Sequence, residues 1–277
     1  MKAAYLLTLT VASSLTALAD FSYVSTVKSA GMMGGAGDST QKHFLKGQKM
    51  KTDLGEMVII MDFEAQTFTT ITNSTKTYTV TKFSEMGQSL KDVNADVKVD
   101  VHETGQKKDI NGFPSREVVM TMDTTMDAGG RGPQKITMET HIWISPAVPG
   151  AGELRSFYQR NAGKFPYTQI GARGNSGMAK AMTELQKKMF SMDGVPVLQI
   201  MKMKIPGMEE QMAKAQQAME QMKKTNPDAA KQMEKAMGGR MGGGGGIETT
   251  TESSGFSTAG IPDSVFAIPA GYTLKAK

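Results

Sequence analysis

The chain has 277 residues, a net charge of +5, no cysteine, 24 methionines and only 6% aromatic residues. Without cysteine there are no disulfides, no thiolate metal sites and no acylated cysteine of the kind a bacterial lipoprotein carries after its leader. The scarcity of aromatics and the even mixing of charges argue against nucleic acid as a partner, because single-strand binders need stacking surfaces and a basic track.

Residues 1–19 read as a secretory signal peptide. Met1 and Lys2 give a short positive start, Ala3 to Leu15 an apolar stretch, and Ala17-Leu18-Ala19 a small-residue exit before Asp20. The stretch is shorter than the roughly 20 apolar residues that span a bilayer, and no later segment is apolar enough to do so. The expectation is a periplasmic or secreted protein, with peripheral membrane contact left open. Removing Lys2 lowers the net charge from +5 to +4, and residues 20–277 are expected to form one domain.

From Phe21 onward apolar residues recur at alternate positions, and turn residues interrupt them at short intervals, which predicts an antiparallel sheet with short up-and-down connections. The predicted strands are Phe21 to Lys28, His43 to Leu54, Met57 to Asp62, Thr67 to Thr72, Thr77 to Lys82, Val97 to Thr104, Ser115 to Met122 and Ile136 to Ser145. Threonine and valine dominate them, as half-buried strands favour. Breaks are expected at Gly31 to Gly37, Asn73-Ser74, Gly105 and Asn111-Gly112, the last a strong hairpin signal. Pro146, Pro149 and Gly150 close this run, and Glu153 to Gln159 reads as a short helix.

A helical pattern is expected from Ser176 to Asp193, with Met178, Met182, Leu185, Met189 and Met192 along one face. Val195 to Ile205 alternates as a strand and presents Met201 and Met203 on one side. Residues 206–246 form a methionine- and glycine-rich insertion, whose helix from Met208 to Lys224 carries Met208, Met212, Met219 and Met222 at helical spacing. Gly242 to Gly246 reads as a flexible linker. Ile247 to Phe256 and Val265 to the end read as closing strands, so that the insertion falls between strands able to pair. The predicted class is α+β.

Four phrases, FLKGQKMKTD (Phe44 to Asp53), HIWISPAVPG (His141 to Gly150), GVPVLQIMKMKI (Gly194 to Ile205) and VFAIPAGY (Val265 to Tyr272), resemble an uncharacterised domain-of-unknown-function family of exported bacterial proteins. That family is associated with the outer-membrane lipoprotein carrier and lipoprotein-sorting fold. The resemblance implies a curved antiparallel sheet forming an open half-barrel, with helices over its concave face and a cavity for something apolar. It assigns no functional residue.

No catalytic constellation is present. Gly-x-Ser-x-Gly and His-Glu-x-x-His are absent, the glycines at 31–37 lack a phosphate-loop ending, and His43, His102 and His141 fall on separate predicted strands. Asn73-Ser74-Thr75 matches a glycosylation sequon that reads equally well as a turn. The methionines have three readings. They can be ordinary packing, an adaptable apolar groove, since the unbranched thioether suits ligands of varied shape, or soft ligands for Cu(I). Trp143 is either a core anchor or, with Phe157 and Tyr158, a wall of the cavity mouth. The expectation is therefore a non-catalytic protein without a cofactor that binds a lipid, an acyl group, an apolar peptide segment or an envelope partner protein. The expected contacts are Met178, Met182, Leu185, Met189, Met192, Met201, Met203, Met208, Met212, Met219, Met222, Trp143 and Tyr158. A Cu(I)-binding protein is the alternative.

Overall fold

The computed structural model describes residues 20–30, 38–86, 98–127, 133–161, 184, 187–189, 191–204, 208–227 and 246–275. The predicted signal peptide, the glycines at 31–37, most of the predicted helix at 176–193 and the linker at 242–245 lie outside them. The described strands are β1 (Phe21–Ala30), β2 (Ser39–Lys46), β3 (Lys49–Asp53), β4 (Met57–Asp62), β5 (Thr67–Thr72), β6 (Thr77–Lys82), β7 (Lys98–Ile110), β8 (Phe113–Asp127), β9 (Pro133–Ser145), β10 (Val195–Lys204), β11 (Gly246–Ser257) and β12 (Thr273–Leu274). Helices among the described residues include α1 (Ala151–Asn161) and α2 (Met208–Thr225). All strands join one open, curved sheet in the order β12-β6-β5-β4-β3-β2-β1-β11-β10-β9-β8-β7. Every pairing is antiparallel except β12 on β6. The fold is α+β.

The predicted up-and-down path holds within two blocks, β1 to β6 and β7 to β10, but not between them. β6 and β7, consecutive in sequence, lie near or at opposite edges, and β11 joins the blocks by pairing with both β1 and β10. Local alternation sets which residues share a face, but the neighbour of a strand depends on contacts distant in sequence. The strands on either side of the methionine-rich insertion, β10 and β11, do pair.

Three further expectations are corrected. The single strand predicted over His43 to Leu54 is two, because Gly47 adopts φ +56° and Lys46 pairs with Lys49 across a two-residue turn. Gly105 does not end β7. With φ +77° it falls within a register shift between Glu103 and Lys107, and the strand continues past this bulge to Ile110. The final strand predicted from Val265 is a single turn of 3-10 helix at Asp263–Phe266 followed by the two-residue β12. Pro262 and Pro269 remove ladder donors there. Asn111-Gly112 does form the hairpin turn, with φ +55° and +82°, and Gly112 N donates to Asp109 Oδ1 at 2.9 Å.

Side-chain alternation gives the sheet an inner and an outer face. Helix α1 covers part of the inner face with Ala151, Leu154 and Phe157, which share one side of the helix and pack with Phe21, Leu45, Met61 and Phe63. Phe157 meets Phe63 edge-on at 5.5 Å, and Phe63 meets Phe83 likewise at 5.6 Å. Burying each ring is worth about 1.5–3 kcal/mol. Farther across the inner face, Val118, Met120, Ile142 and Ile144 form a second cluster against which Met189 and Met192 pack.

The C-terminal segment clasps the outer face of β2 to β6. Phe266 and Tyr272 pack on Val58, Ile60 and Ile71, while the Lys46 and Lys51 ammonium groups donate to the Ile261 and Val265 carbonyls at 2.5 and 3.0 Å. Tyr272 Oη donates to Asn73 Oδ1 at 2.9 Å, and the Asn73 amide nitrogen donates to the Gly55 carbonyl. Both ends of Asn73 are thus engaged within the protein, which is the turn role rather than that of an exposed glycan acceptor.

Candidate functional site

A cavity of about 230 Å³ lies where the inner face meets α1 and the residues leading into β10. Its floor comes from alternate positions of four strands: Tyr23 and Ser25 on β1, Gln41 and His43 on β2, Gln199 on β10, and Thr251 and Ser253 on β11. Register brings them together. Tyr23 stands opposite His43, Ser25 is flanked by Gln41 and Ser253, and Gln199 stands opposite Thr251. The walls are Leu154, Arg155 and Tyr158 of α1, Met189 and Met192, and Val195 with Pro196 at the start of β10.

The entry to β10 is built around Gly194. Its φ is +117°, and a Cβ there would stand 2.7 Å from the Ser145 backbone and 2.7 Å from Ile144 Cγ2. A glycine is therefore required for the chain to pass close over the end of β9 and bring Met192 and Val195 to the cavity.

The floor is polar but uncharged. Tyr23 and His43 stack with centroids 4.3 Å apart and planes 14° apart. Burial pushes the Tyr23 hydroxyl up to about 12 and the His43 ring down to about 4, so both are neutral at pH 7. Thr52 Oγ1 lies 3.4 Å from His43 Nδ1, and Ser25 Oγ 3.3 Å from Ser253 Oγ. Arg155 is the charged residue among the lining, and its guanidinium is hydrogen-bonded to the Asp193 carboxylate. The backbone carbonyl of Asp193 also accepts a bond from Arg116 Nη1 at 3.1 Å. The neutral polar floor thus lies under walls that are apolar apart from Arg155 and the Tyr158 hydroxyl.

Of the contacts expected from sequence, Met189, Met192 and Tyr158 line this cavity. Met201 and Met203 are half-buried on the same face of β10, beyond the cavity, where Met203 stands opposite Met138 and Met138 opposite Met122. Met219 is buried and Met222 half-buried on α2. Met208 and Met212 belong to α2, with side chains outside the described residues, as are Met178, Met182 and Leu185 altogether. Trp143 does not line the cavity; it is buried in the same cluster as Phe21, Leu154 and Phe157, with Lys108 Nζ 5.8 Å from its ring centre.

The floor residues were not singled out from sequence. Their signal is a polar residue at an inward position of an otherwise alternating strand, as in Phe21-x-Tyr23-x-Ser25 and Gln41-x-His43-x-Leu45. It becomes readable only once the inward phase is known.

The three histidines do not converge. His43 is on the cavity floor, whereas His102 and His141 are on the outer face. Among the described residues no group of three histidines or carboxylates could hold a metal ion. His141 sits between two carboxylates, with Nδ1 2.9 Å from Glu117 Oε1 and Nε2 3.0 Å from Glu139 Oε1. The hydrogen bond to Glu117 raises the His141 pKa, burial opposes it, and Glu139 adds to the rise. Burial pushes the Glu117 carboxyl up, but hydrogen bonds from His141 and Thr104 outweigh that and leave it below the ordinary value. This is a buried carboxylate satisfied by its neighbours.

Among the described residues no helix is long and apolar enough to cross a membrane. No family model matches the chain, and no curated protein does. Among solved structures the chain is similar to a LolA superfamily protein of Nitrosomonas europaea, with 7% identity, 90% of each chain covered and a TM-score of 0.27. At that likeness no residue, ligand or role is transferred to this chain.

Proposed function

We propose that this protein is an exported, non-catalytic binding protein that takes the apolar part of a lipid, an acyl group or an apolar peptide segment into the cavity between the inner face and α1. The observation that carries this reading is the lining: methionine, leucine and valine walls over a floor whose titratable groups, Tyr23 and His43, are both neutral at pH 7. Such a site favours a ligand that brings contact area and no net charge. Met189 and Met192 suit it because flexible thioethers adapt to the shape of what enters. The volume of about 230 Å³ is below the roughly 300–1,000 Å³ of sites that enclose a whole drug-sized ligand. One segment of a larger molecule is therefore held. Export rests on the leader read in residues 1–19.

The test is fluorescence of the neutral probe N-phenyl-1-naphthylamine on titration with the purified protein. Saturable enhancement is expected, weakened about tenfold or more by the pair Met189→Gln and Met192→Gln, since each places a polar amide on the apolar wall. Absence of saturable binding, or binding indifferent to both substitutions, overturns the reading.

The second reading, retention of Cu(I) by thioethers, is supported by the cross-strand row Met122, Met138 and Met203 on neighbouring strands. It requires stoichiometric Cu(I) retention under reducing conditions that is lost in Met203→Leu.

A further inference from the structure

The floor of the cavity carries more hydrogen-bonding capacity than a purely apolar ligand could use. The Gln41 and Gln199 side-chain amides and the Tyr23 and Thr251 hydroxyls all line it, and none makes a side-chain hydrogen bond with the described residues. A ligand that displaces water from these groups without replacing its hydrogen bonds leaves them stranded, at a cost of about 1–3 kcal/mol each. The recognised head must therefore return hydrogen bonds of both kinds. Each glutamine amide, and each hydroxyl, can both donate and accept.

Charge narrows the choice. A carboxylate offers acceptors alone and needs a cation, but the charged group on the lining, Arg155, is already paired with Asp193. An ammonium would need an anion, and no carboxylate is among the lining residues. Of the uncharged heads, a carboxamide carries a planar donor and acceptor side by side, matching the paired donor and acceptor of a glutamine.

We propose that the ligand recognised here is an uncharged carboxamide bearing an aliphatic tail, its amide on Gln41, Gln199 and Tyr23 and its tail against Leu154, Met189 and Met192. The inference rests on the cavity being the ligand site. It adds head-group selection to that reading. Two sources share the chemistry, an acyl amide and an apolar amino-acid amide, and small probes separate them.

The experiment is calorimetric titration of the purified protein at neutral pH with octanamide, octanoate and N-acetyl-leucinamide, beside the N-phenyl-1-naphthylamine titration. At least one amide is expected to bind about tenfold more tightly than octanoate, the equivalent of one well-placed hydrogen bond gained or one left unmade. The tighter of octanamide and N-acetyl-leucinamide names the source. In Gln41→Leu with Gln199→Leu the preference for amide over acid should disappear, and a preference that persists in that variant overturns the inference. Octanoate binding as tightly as the amides overturns the inference, and so does naphthylamine binding with no amide binding; both leave the apolar site standing. Loss of naphthylamine binding in the unsubstituted protein removes the site and the inference together. Because the amide-to-acid ratio is read first on the unsubstituted protein, a variant that fails to fold does not rescue the proposal.

Discussion

Tyr23 and His43 stand opposite each other on β1 and β2, with rings stacked 4.3 Å apart on the cavity floor. Burial holds both in their uncharged forms at neutral pH. The pair gives the site its character and sets its first pH signature.

His43 titrates at about 4 in the folded protein against 6.5 when unperturbed. Between these values the unfolded chain binds the proton and the native state does not, so the stabilisation conferred by neutral His43 is complete above pH 6.5 and is lost as pH falls toward 4. The full shift corresponds to about 3 kcal/mol. Thermal unfolding of His43→Gln should vary less over this window than that of the unsubstituted protein. Parallel curves would exclude His43 as the source.

His141 has the opposite sign. Its pKa is raised by Glu117, so its contribution is complete below 6.5 and is lost as pH rises through the raised value. The lowered Glu117 pKa contributes above 4.5 and is lost as pH falls. Glu117→Gln should move the His141 titration down toward its ordinary value, read from the imidazole proton shifts by NMR. It should also destabilise the outer face by about 1–3 kcal/mol through loss of the charge-assisted bonds. An unmoved His141 titration would show that Glu139 alone holds the ring.

Gly194→Ala should be among the most destabilising single-methyl changes in the protein. The added Cβ would fall 2.7 Å from the Ser145 backbone, and φ +117° is a conformation that alanine avoids. A cost of about 2–4 kcal/mol is expected in chemical denaturation, with weakened naphthylamine binding because Gly194 itself lines the cavity. Alanine at Gly112, φ +82° with nothing within 4 Å of its Cβ, carries the conformational cost without the clash and should destabilise less.

Phe266→Ala should loosen the C-terminal clasp from Val58, Ile60 and Ile71 at a cost of about 2 kcal/mol, since the ring is half-buried. The exposed apolar outer face should then bind the reporter dye ANS, while the cavity on the other face keeps its ligand affinity. Loss of ligand binding would mean that the two faces are coupled.

Strand content and alternation were legible in the sequence. The limits of β4, β5 and β6 follow directly from one continuous apolar run and two threonine-rich runs, each bounded by turn residues, and Asn111-Gly112 specified its hairpin because its two residues accept positive φ at low cost. The methionine spacing indicated the helix α2 between two strands able to pair. These are local properties, fixed by steric preferences and by the period of two or 3.6 residues. The order of the strands was decided by tertiary structure alone. No local signal sends β7 to the far edge from β6 or puts β11 between β1 and β10, because the β1–β11 pairing joins segments as distant in sequence as Ser22 and Ser257. The same pairings bring Tyr23, Gln41, Gln199 and Thr251 onto one floor. Each is an ordinary strand residue until register sets it beside the others.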